Sequence, residues 1–515
     1  MELARSDNEE NDHDSSNKNL RSVLLGIFCG LALAAMSQTL VSTALPTIVG
    51  EFRAYRGVSW VASIYLLTSA LIVPFSGSLS DRFGGGRLYK VSIAVFAVGS
   101  LMAAVSPSIT FLIVARGIQG IGGGSIMTVA FIFIGQIAPA RELGRYQGYV
   151  AAVFATTSLL GPLVGGFFVD FLSWRISFFL VFFLSLFALW ITRSAFPVEV
   201  VRERTKFDSL GSILMVFFVA QLLLLIKLVP WSPILDSPIV WILGCLLVIE
   251  LVFLIRYEMK IDNPLLPFSL FSDRVIVVAA AIAFFSGITM FGVVIYAPTF
   301  LQVSLNMSAT ISGLLLVPLM GCTLVGSTVG GRIMSRTGHF KKIAVTGSFC
   351  LVIGTGLMTS LSANSPPLLV SVFVGVVGIG TGLVMPVTLV AVQSRVEFEK
   401  LGVATALTQF LRKIGSTIGV AVFGVFFNFQ VNQTLQSSSL VSSGVDPQSL
   451  LQKPSEISEL SPKIASLVRD AVADGAVISF RCAFGISVLG LLASFLLKDT
   501  KLLSNAKPGI GENLG

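Results

Sequence analysis

The chain has 515 residues, 54% of them hydrophobic and 12% charged, with a mean hydropathy of +0.87. A water-soluble fold of that length cannot hide so much apolar surface, so the soluble globular classes are excluded and a lipid bilayer becomes the expected surroundings. The formal charge of +8 is spread over many short segments instead of forming a stripe, which excludes nucleic acid as a partner.

Residues 1–20 are polar, hold six acids and read as a cytoplasmic tail. A helix needs about 20 residues to cross a hydrocarbon core of about 30 Å. That ruler places fourteen spans near 22–45, 58–79, 88–106, 109–133, 147–170, 176–196, 209–228, 238–256, 275–302, 309–332, 343–361, 367–394, 403–429 and 476–497. The first is too long for a secretory signal and lacks a small-residue cleavage site, so it reads as an uncleaved helix. With the N-terminus inside, 24 of the 35 Lys and Arg fall in cytoplasmic segments or helix ends, seven in outer segments and four within spans. An odd number of spans would break that asymmetry, so both termini are expected on the cytoplasmic side of a plasma membrane of the bacterial inner-membrane type.

Five cysteines (Cys29, Cys245, Cys322, Cys350 and Cys482) lie in apolar runs without ligand spacing, so no disulfide framework, metal site or cofactor is expected. The 48 Gly suit closely packed membrane helices.

Between the second and third spans stands Gly77-Ser-Leu-Ser-Asp81-Arg82-Phe-Gly84-Gly-Gly-Arg87, echoed 254 residues later by Gly331-Arg-Ile-Met-Ser335-Arg336-Thr-Gly338. Gly120-Ile-Gly122-Gly-Gly124 returns as Gly378-Ile-Gly380-Thr-Gly382 at an offset of 258, with Leu143-Gly144 on Leu401-Gly402 and Gly161 on Gly419 in the same register. Six spans alone give an offset near ~200, so the surplus of about 50–60 residues is two further helices set between duplicated halves. Parallel duplication of helical bundles is a transporter architecture. The expected division is 21–196 for an N-terminal six-helix bundle, 197–262 for two inserted helices, 263–500 for a C-terminal bundle with an outer loop at 430–475, and 501–515 for a cytoplasmic tail.

Glycines 84–86 allow the chain to reverse between two helices, and Asp81 is placed to approach the positive N-terminal end of a helix in the other half. Topology and turn solubility alone also account for Asp81, Arg82 and Arg87. Gly161-Pro162 with Gly165 and Gly166 suits a hinge or a close helix contact. Arg116 is the sharpest candidate, because a guanidinium within a membrane helix costs several kcal/mol unless it is paired or hydrated. Arg412 sits about nine residues into its span, roughly 13 Å deep, whereas Lys413 and Arg481 are expected closer to water or loop groups. A cavity holding Arg116 and Arg412 without a central carboxylate favours an anionic or acidic amphiphilic cargo. Gln38, Gln119, Gln221, Gln409 and Thr156 are candidate hydrogen-bonding lining, and interhelical contacts explain them equally.

From about residue 22 to 497 the chain resembles the fourteen-helix drug:proton antiporter branch of the major facilitator superfamily. Met36-Ser37-Gln38-Thr-Leu-Val-Ser-Thr-Ala-Leu-Pro46 is similar to that branch's first-helix signature, and Gly77 to Arg87 to the superfamily loop motif. Leu112-Ile-Val-Ala-Arg116-Gly-Ile-Gln119-Gly120 resembles the fourth-helix arginine motif, and Gly161-Pro162-Leu-Val-Gly165-Gly166 the fifth-helix antiporter motif. Leu401-Gly402-Val-Ala-Thr405 through Arg412-Lys-Ile-Gly415-Ser-Thr-Ile-Gly419 resembles the branch's thirteenth helix.

The resemblance implies an all-α major facilitator fold, a gating role for Asp81, and proton exchange between Arg116 and an acid on the first helix. Here Ser37 stands where that acid is usual. Only Asp170 and Glu250 lie within spans, both toward ends, and His13 and His339 belong to cytoplasmic segments. The expected function is alternating-access transport, with efflux of small amphiphilic or drug-like compounds, proton-coupled or not, ahead of uncoupled carriage of anionic or lipid-like cargo. An enzyme would need paired acid/base or metal-ligand spacing, which is not found. A non-transporting receptor or scaffold would carry a substantial soluble domain.

Overall fold

A computed structural model describes residues 22–38, 40–41, 44, 47–48, 51–52, 58–138, 142–195, 208–228, 238–261, 264–397, 400–436 and 462–498. Both expected tails, and residues 437–461 of the expected outer loop, lie outside the described residues.

Fourteen helices form in chain order among the described residues. They are α1 (Ser22–Gln38), α2 (Val58–Phe83), α3 (Gly85–Ala104), α4 (Ile109–Ile137), α5 (Leu143–Phe171), α6 (Trp174–Ala195) and α7 (Ser209–Leu228). Then follow α8 (Pro238–Glu258), α9 (Arg274–Thr299), α10 (Ala309–Thr337), α11 (Lys341–Met358), α12 (Pro367–Gln393), α13 (Leu401–Gln436) and α14 (Pro462–Leu496). Eleven of them are long and apolar enough to cross a membrane. Local chemistry sets the ends. Ser108 accepts from the Phe111 N–H at 3.2 Å and Ser308 from Ile311 at 3.3 Å, each satisfying an orphan donor of a first helical turn.

The fold is all-α, with two six-helix groups and two extra helices. In the first group α4 packs on α2 and α3, and α3 on α6; in the second, α12 packs on α10 and α11, while α9 packs on α13 and α14. The groups meet mainly through α2 on α13 and α5 on α10, and α7 pairs with α8. Lipid-type exposure is heaviest on α8, where Trp241, Ile242, Val248 and Ile249 all point outward. Gln221 donates to the Leu243 carbonyl at 2.9 Å, tying α7 to α8.

The duplication is visible atom by atom. A Cβ at Gly120 or Gly124 would strike the α2 backbone at Tyr65 or Ser69, and one at Gly122 would strike Phe96 of α3. Across the repeat, Gly378 and Gly382 face the α10 backbone at Leu319 and Thr323, while Gly380 faces Gly347 and Leu351 of α11. The same notch is therefore cut twice. Among the described residues the positive-φ glycines are Gly84 (87°) and Gly338 (71°), which are repeat equivalents. Each allows a chain reversal that a Cβ would strain. Gly85 and Gly86, expected to share that role, lie within α3 instead, buried beneath neighbouring side chains.

Two sequence expectations need correction. The outer loop 430–475 is helical at both ends, because α13 runs on to Gln436 and α14 starts at Pro462. At 36 residues, α13 reaches about 54 Å, well past a bilayer core of ~30 Å. Residues 462–475 were too polar for a span, yet Ala465, Val468, Ala471 and Val472 form a buried stripe at helical spacing while Asp470 and Asp474 stay exposed. The second correction concerns Lys413, which is half-buried and reaches from α13 to Ser69 of α2, not to a loop; Arg481 is exposed, as expected.

Gly122→Val should lower the thermal stability of the detergent-solubilised protein by about 1–3 kcal/mol through overpacking, because its Cβ falls 2.5 Å from Phe96 N. Gly244→Ala, with open space around it, should melt like the unmodified protein. Equal melting of the two variants in a fluorescence-based unfolding assay would contradict the close α3–α4 approach.

Candidate functional site

Arg116 is 1% exposed, at the centre of the first six-helix group. Its Nη1 donates to Ser37 Oγ at 3.0 Å and to Gln119 Oε1, and its Nε donates to the Val61 carbonyl at 3.3 Å. The guanidinium carbon stands 4.3 Å from the Tyr65 ring centroid, a cation–π contact. Gln119 Nε2 passes the chain on to Ser100 Oγ at 2.7 Å, and Ser100 donates to the Phe96 carbonyl. Tyr65 is held by its hydroxyl on the Ala34 carbonyl at 3.2 Å, within interaction range of half-buried Gln38. Helices α1, α2 and α4 thus place Ser37, Gln38, Tyr65 and Gln119 around the arginine. Its recorded partners are all neutral.

The second six-helix group presents Arg412 and Lys413 on α13. Arg412 Nη2 donates to Thr388 Oγ1 at 2.9 Å and to the Met385 carbonyl at 3.3 Å. Its Nε and Nη1 are enclosed without a hydrogen-bond partner. Lys413 Nζ crosses to α2 and donates to Ser69 O at 2.9 Å and Ser69 Oγ at 3.1 Å. Gln409 is buried one turn earlier on the same helix. Thr156, a candidate for lining, is exposed on α5.

A second constellation closes one end of the contact between the groups. Asp81 Oδ1 accepts from the Gly402 N–H at 3.2 Å, and Oδ2 from the Val403 N–H at 3.0 Å. The carboxylate sits on the first turn of α13, where unpaired N–H groups and the helix dipole both favour negative charge. Gly77, one turn back on α2, lets the helices close, since a Cβ there would lie 2.5 Å from Ala406 Cβ. On the repeat-related side, a Cβ at Gly331 of α10 would overlap the Gly144 carbonyl of α5, and Ser327 Oγ donates to the Gln147 carbonyl at 3.3 Å. Arg82 lies 5.0 Å over the Phe83 ring with its Nε enclosed, and Arg87 is exposed. Helix α5 continues unbroken through Gly161, Pro162, Gly165 and Gly166.

Sequence reasoning missed Gln393. From α12 it donates to the Phe131 carbonyl of α4 at 3.1 Å and to Thr405 Oγ1 of α13 at 3.0 Å, joining the two groups at the same end. A lone glutamine near a helix end carries no pattern that would single it out.

The sequence profile of the Major Facilitator Superfamily matches residues 27–420. An MFS-type transporter of Mycobacterium tuberculosis, Rv1877, is 32% identical over 93% of this chain and 70% of its own length. The multidrug transporter protein MdtP of Bacillus subtilis is 30% identical, with 94% of both chains covered. Among solved structures, the human organic anion transporter MFSD10 aligns with a TM-score of 0.64 at 14% identity, covering 93% of this chain and 99% of the other.

Arg116→Lys should destabilise the protein, because one ammonium cannot reach Ser37, Gln119 and the Val61 carbonyl together, and each buried acceptor left unpaired costs about 1–3 kcal/mol. A melting temperature equal to that of the unmodified protein would show that the Arg116 network is dispensable for packing.

Proposed function

The chain belongs to the Major Facilitator Superfamily and is a transporter, not an enzyme; we propose that it exports small amphiphilic molecules from the cytoplasm by alternating access. The single observation that carries this reading is the Asp81 cap on α13. It joins the two halves of a duplication through hydrogen bonds that a rotation of one half can break without disturbing either half's own core. Residues 21–196 and 263–500 act as the two moving bodies, and the helices of 197–262 travel with them. Asp81, Gly77 and Gln393 form the inner gate, with Gly84 turning the chain behind it, Arg82 and Arg87 holding the cytoplasmic surface, and Gly161, Pro162, Gly165 and Gly166 serving as a pivot in α5. The loop-motif end carries the cytoplasmic termini by the distribution of Lys and Arg. The described conformation is then closed toward the cytoplasm.

A cysteine pair tests the movement. A Cβ at Gly148 would lie 3.6 Å from Thr328 Cβ, within disulfide range. In a background with the five native cysteines changed to Ser, Gly148→Cys with Thr328→Cys should block dye transport in proteoliposomes after oxidation and recover it on reduction. Undiminished transport by the oxidised protein would refute alternating access about this contact.

A second reading concerns the charge of the cargo. Arg412 keeps two enclosed, unpartnered donors, Lys413 adjoins it, and Arg116 has only neutral partners, so an acidic group on the cargo is the complementary chemistry. Ser37, Gln38, Gln119 and Gln409 supply hydrogen bonds along the same path. With Ser37 beside Arg116, transport needs no carboxylate there and responds weakly to an imposed pH gradient. Arg412→Gln should lower transport of an acidic fluorescein dye by about tenfold, the value of one charge-assisted hydrogen bond, while transport of ethidium is maintained. Equal losses for both dyes would remove the anionic preference.

A further inference from the structure

The inserted helix pair holds two buried carboxyl groups that the transport mechanism leaves unused. Asp208 caps α7: its Oδ1 accepts from the Gly211 N–H at 2.8 Å and from the Tyr257 hydroxyl at 3.1 Å. Glu258 closes α8 and is 1% exposed; its Oε2 accepts from the Leu266 N–H at 3.0 Å in the segment that leads toward α9. Each carboxyl thus has one oxygen engaged. The other oxygens, Asp208 Oδ2 and Glu258 Oε1, are enclosed and have no partner. Both converge on Gly211, where a Cβ would overlap Asp208 Oδ2 and stand 2.7 Å from Glu258 Oε1.

Two enclosed carboxylates cannot both remain ionised side by side without a cation between them. The titratable groups facing the pair among the described residues are the two acids themselves and Tyr257. Arg256 and Lys260 flank Glu258 in sequence but are exposed, and neither pairs with these acids. Segment 264–267, which covers the pair, consists of Pro and Leu and adds no charge. Helices α2 and α13, which also pack on α7, place no recorded charge against Glu258. Both orphan oxygens are satisfied at once by a single hydrogen between them.

We propose that Asp208 and Glu258 form a proton-binding site in which one proton is shared between Asp208 Oδ2 and Glu258 Oε1, clamping the α7–α8 pair onto segment 264–266. Binding that proton fastens the inserted helices to the segment entering the second half. Releasing it sets two like charges against each other in an enclosed position and loosens the joint. The site shares no residue with the Arg116 and Arg412 clusters, and it stands or falls independently of any cargo.

The test uses the full-length purified protein in detergent and needs no substrate. Thermal unfolding should show stability falling as pH rises through the range where the shared proton leaves, because the folded state binds a proton that the unfolded chain has released. The folded-to-unfolded ratio then changes by up to about tenfold per pH unit. Glu258→Gln and Asp208→Asn each place an amide N–H where the proton stood, so either variant should flatten the slope. Infrared difference spectra should show a protonated carboxyl band at neutral pH that is absent from either variant, a readout that stands even if one variant folds poorly. The same pH slope in the unmodified protein and both variants, or no such band, would overturn the proposal. So would stabilisation of the unmodified protein at high pH by added Na⁺, Mg²⁺ or Ca²⁺ that Glu258→Gln abolishes, since a cation would then occupy the place given to the proton.

Discussion

In hydrocarbon, apolar helices gain little from hiding apolar surface against one another, so how closely their backbones approach decides whether they pack. This chain meets that constraint with glycine notches repeated at fixed register. Gly120 and Gly124 admit α2, Gly122 admits α3, and their repeat partners Gly378, Gly382 and Gly380 do the same for α10 and α11. Helices α4 and α12 therefore become the axes around which each half assembles. Arg116 is carried on one of these axes, and Gln393 at the end of the other.

The two halves are copies, yet the joints between them differ chemically. On one side an anionic side chain, Asp81, binds two N–H groups at the start of α13. On the repeat-related side the position of Asp81 is taken by Ser335, and α10 meets α5 through the near-touching backbones of Gly331 and Gly144. A charge on a helix terminus contributes about 0.3–1 kcal/mol when exposed and up to ~2 kcal/mol when partly buried. In the proposed cycle, that is enough to bias a closed gate without locking it. The contact of Gly331 with Gly144 carries no charge, so the two joints between the halves differ in kind.

Arg116 illustrates a different economy. An arginine enclosed among helices is usually neutralised by an acid, but here a serine, a glutamine, a carbonyl oxygen and a tyrosine face share its donors and its charge. Its hydrogen bonds are largely satisfied while its charge is not. The positive charge of this half therefore has no acidic partner among the described residues. Arg412 adds donors with no protein partner, so the two halves present the same sign of charge.

Much of this was legible from the linear chain. Fourteen apolar runs, the cation asymmetry and the repeats at 254 and 258 residues follow from periodicity and spacing alone. The grouping of Arg116 with Ser37, Gln38 and Gln119 followed from its resemblance to a motif and from the cost of leaving a guanidinium unsolvated. Other features depended on distance across the fold. The partner of Lys413 is Ser69, 344 positions away, and no local signal links them. No sequence signal marks Glu258 or Asp208, because nothing in a sequence says which oxygen of a carboxylate will lack a donor once two helix ends and a connecting segment close over it. Hydrophobic pattern records which faces leave water; which enclosed polar atoms meet one another is a property of the packed chain, where a neighbour's backbone a few ångströms away decides whether a group is satisfied, unpaired or obliged to share a proton.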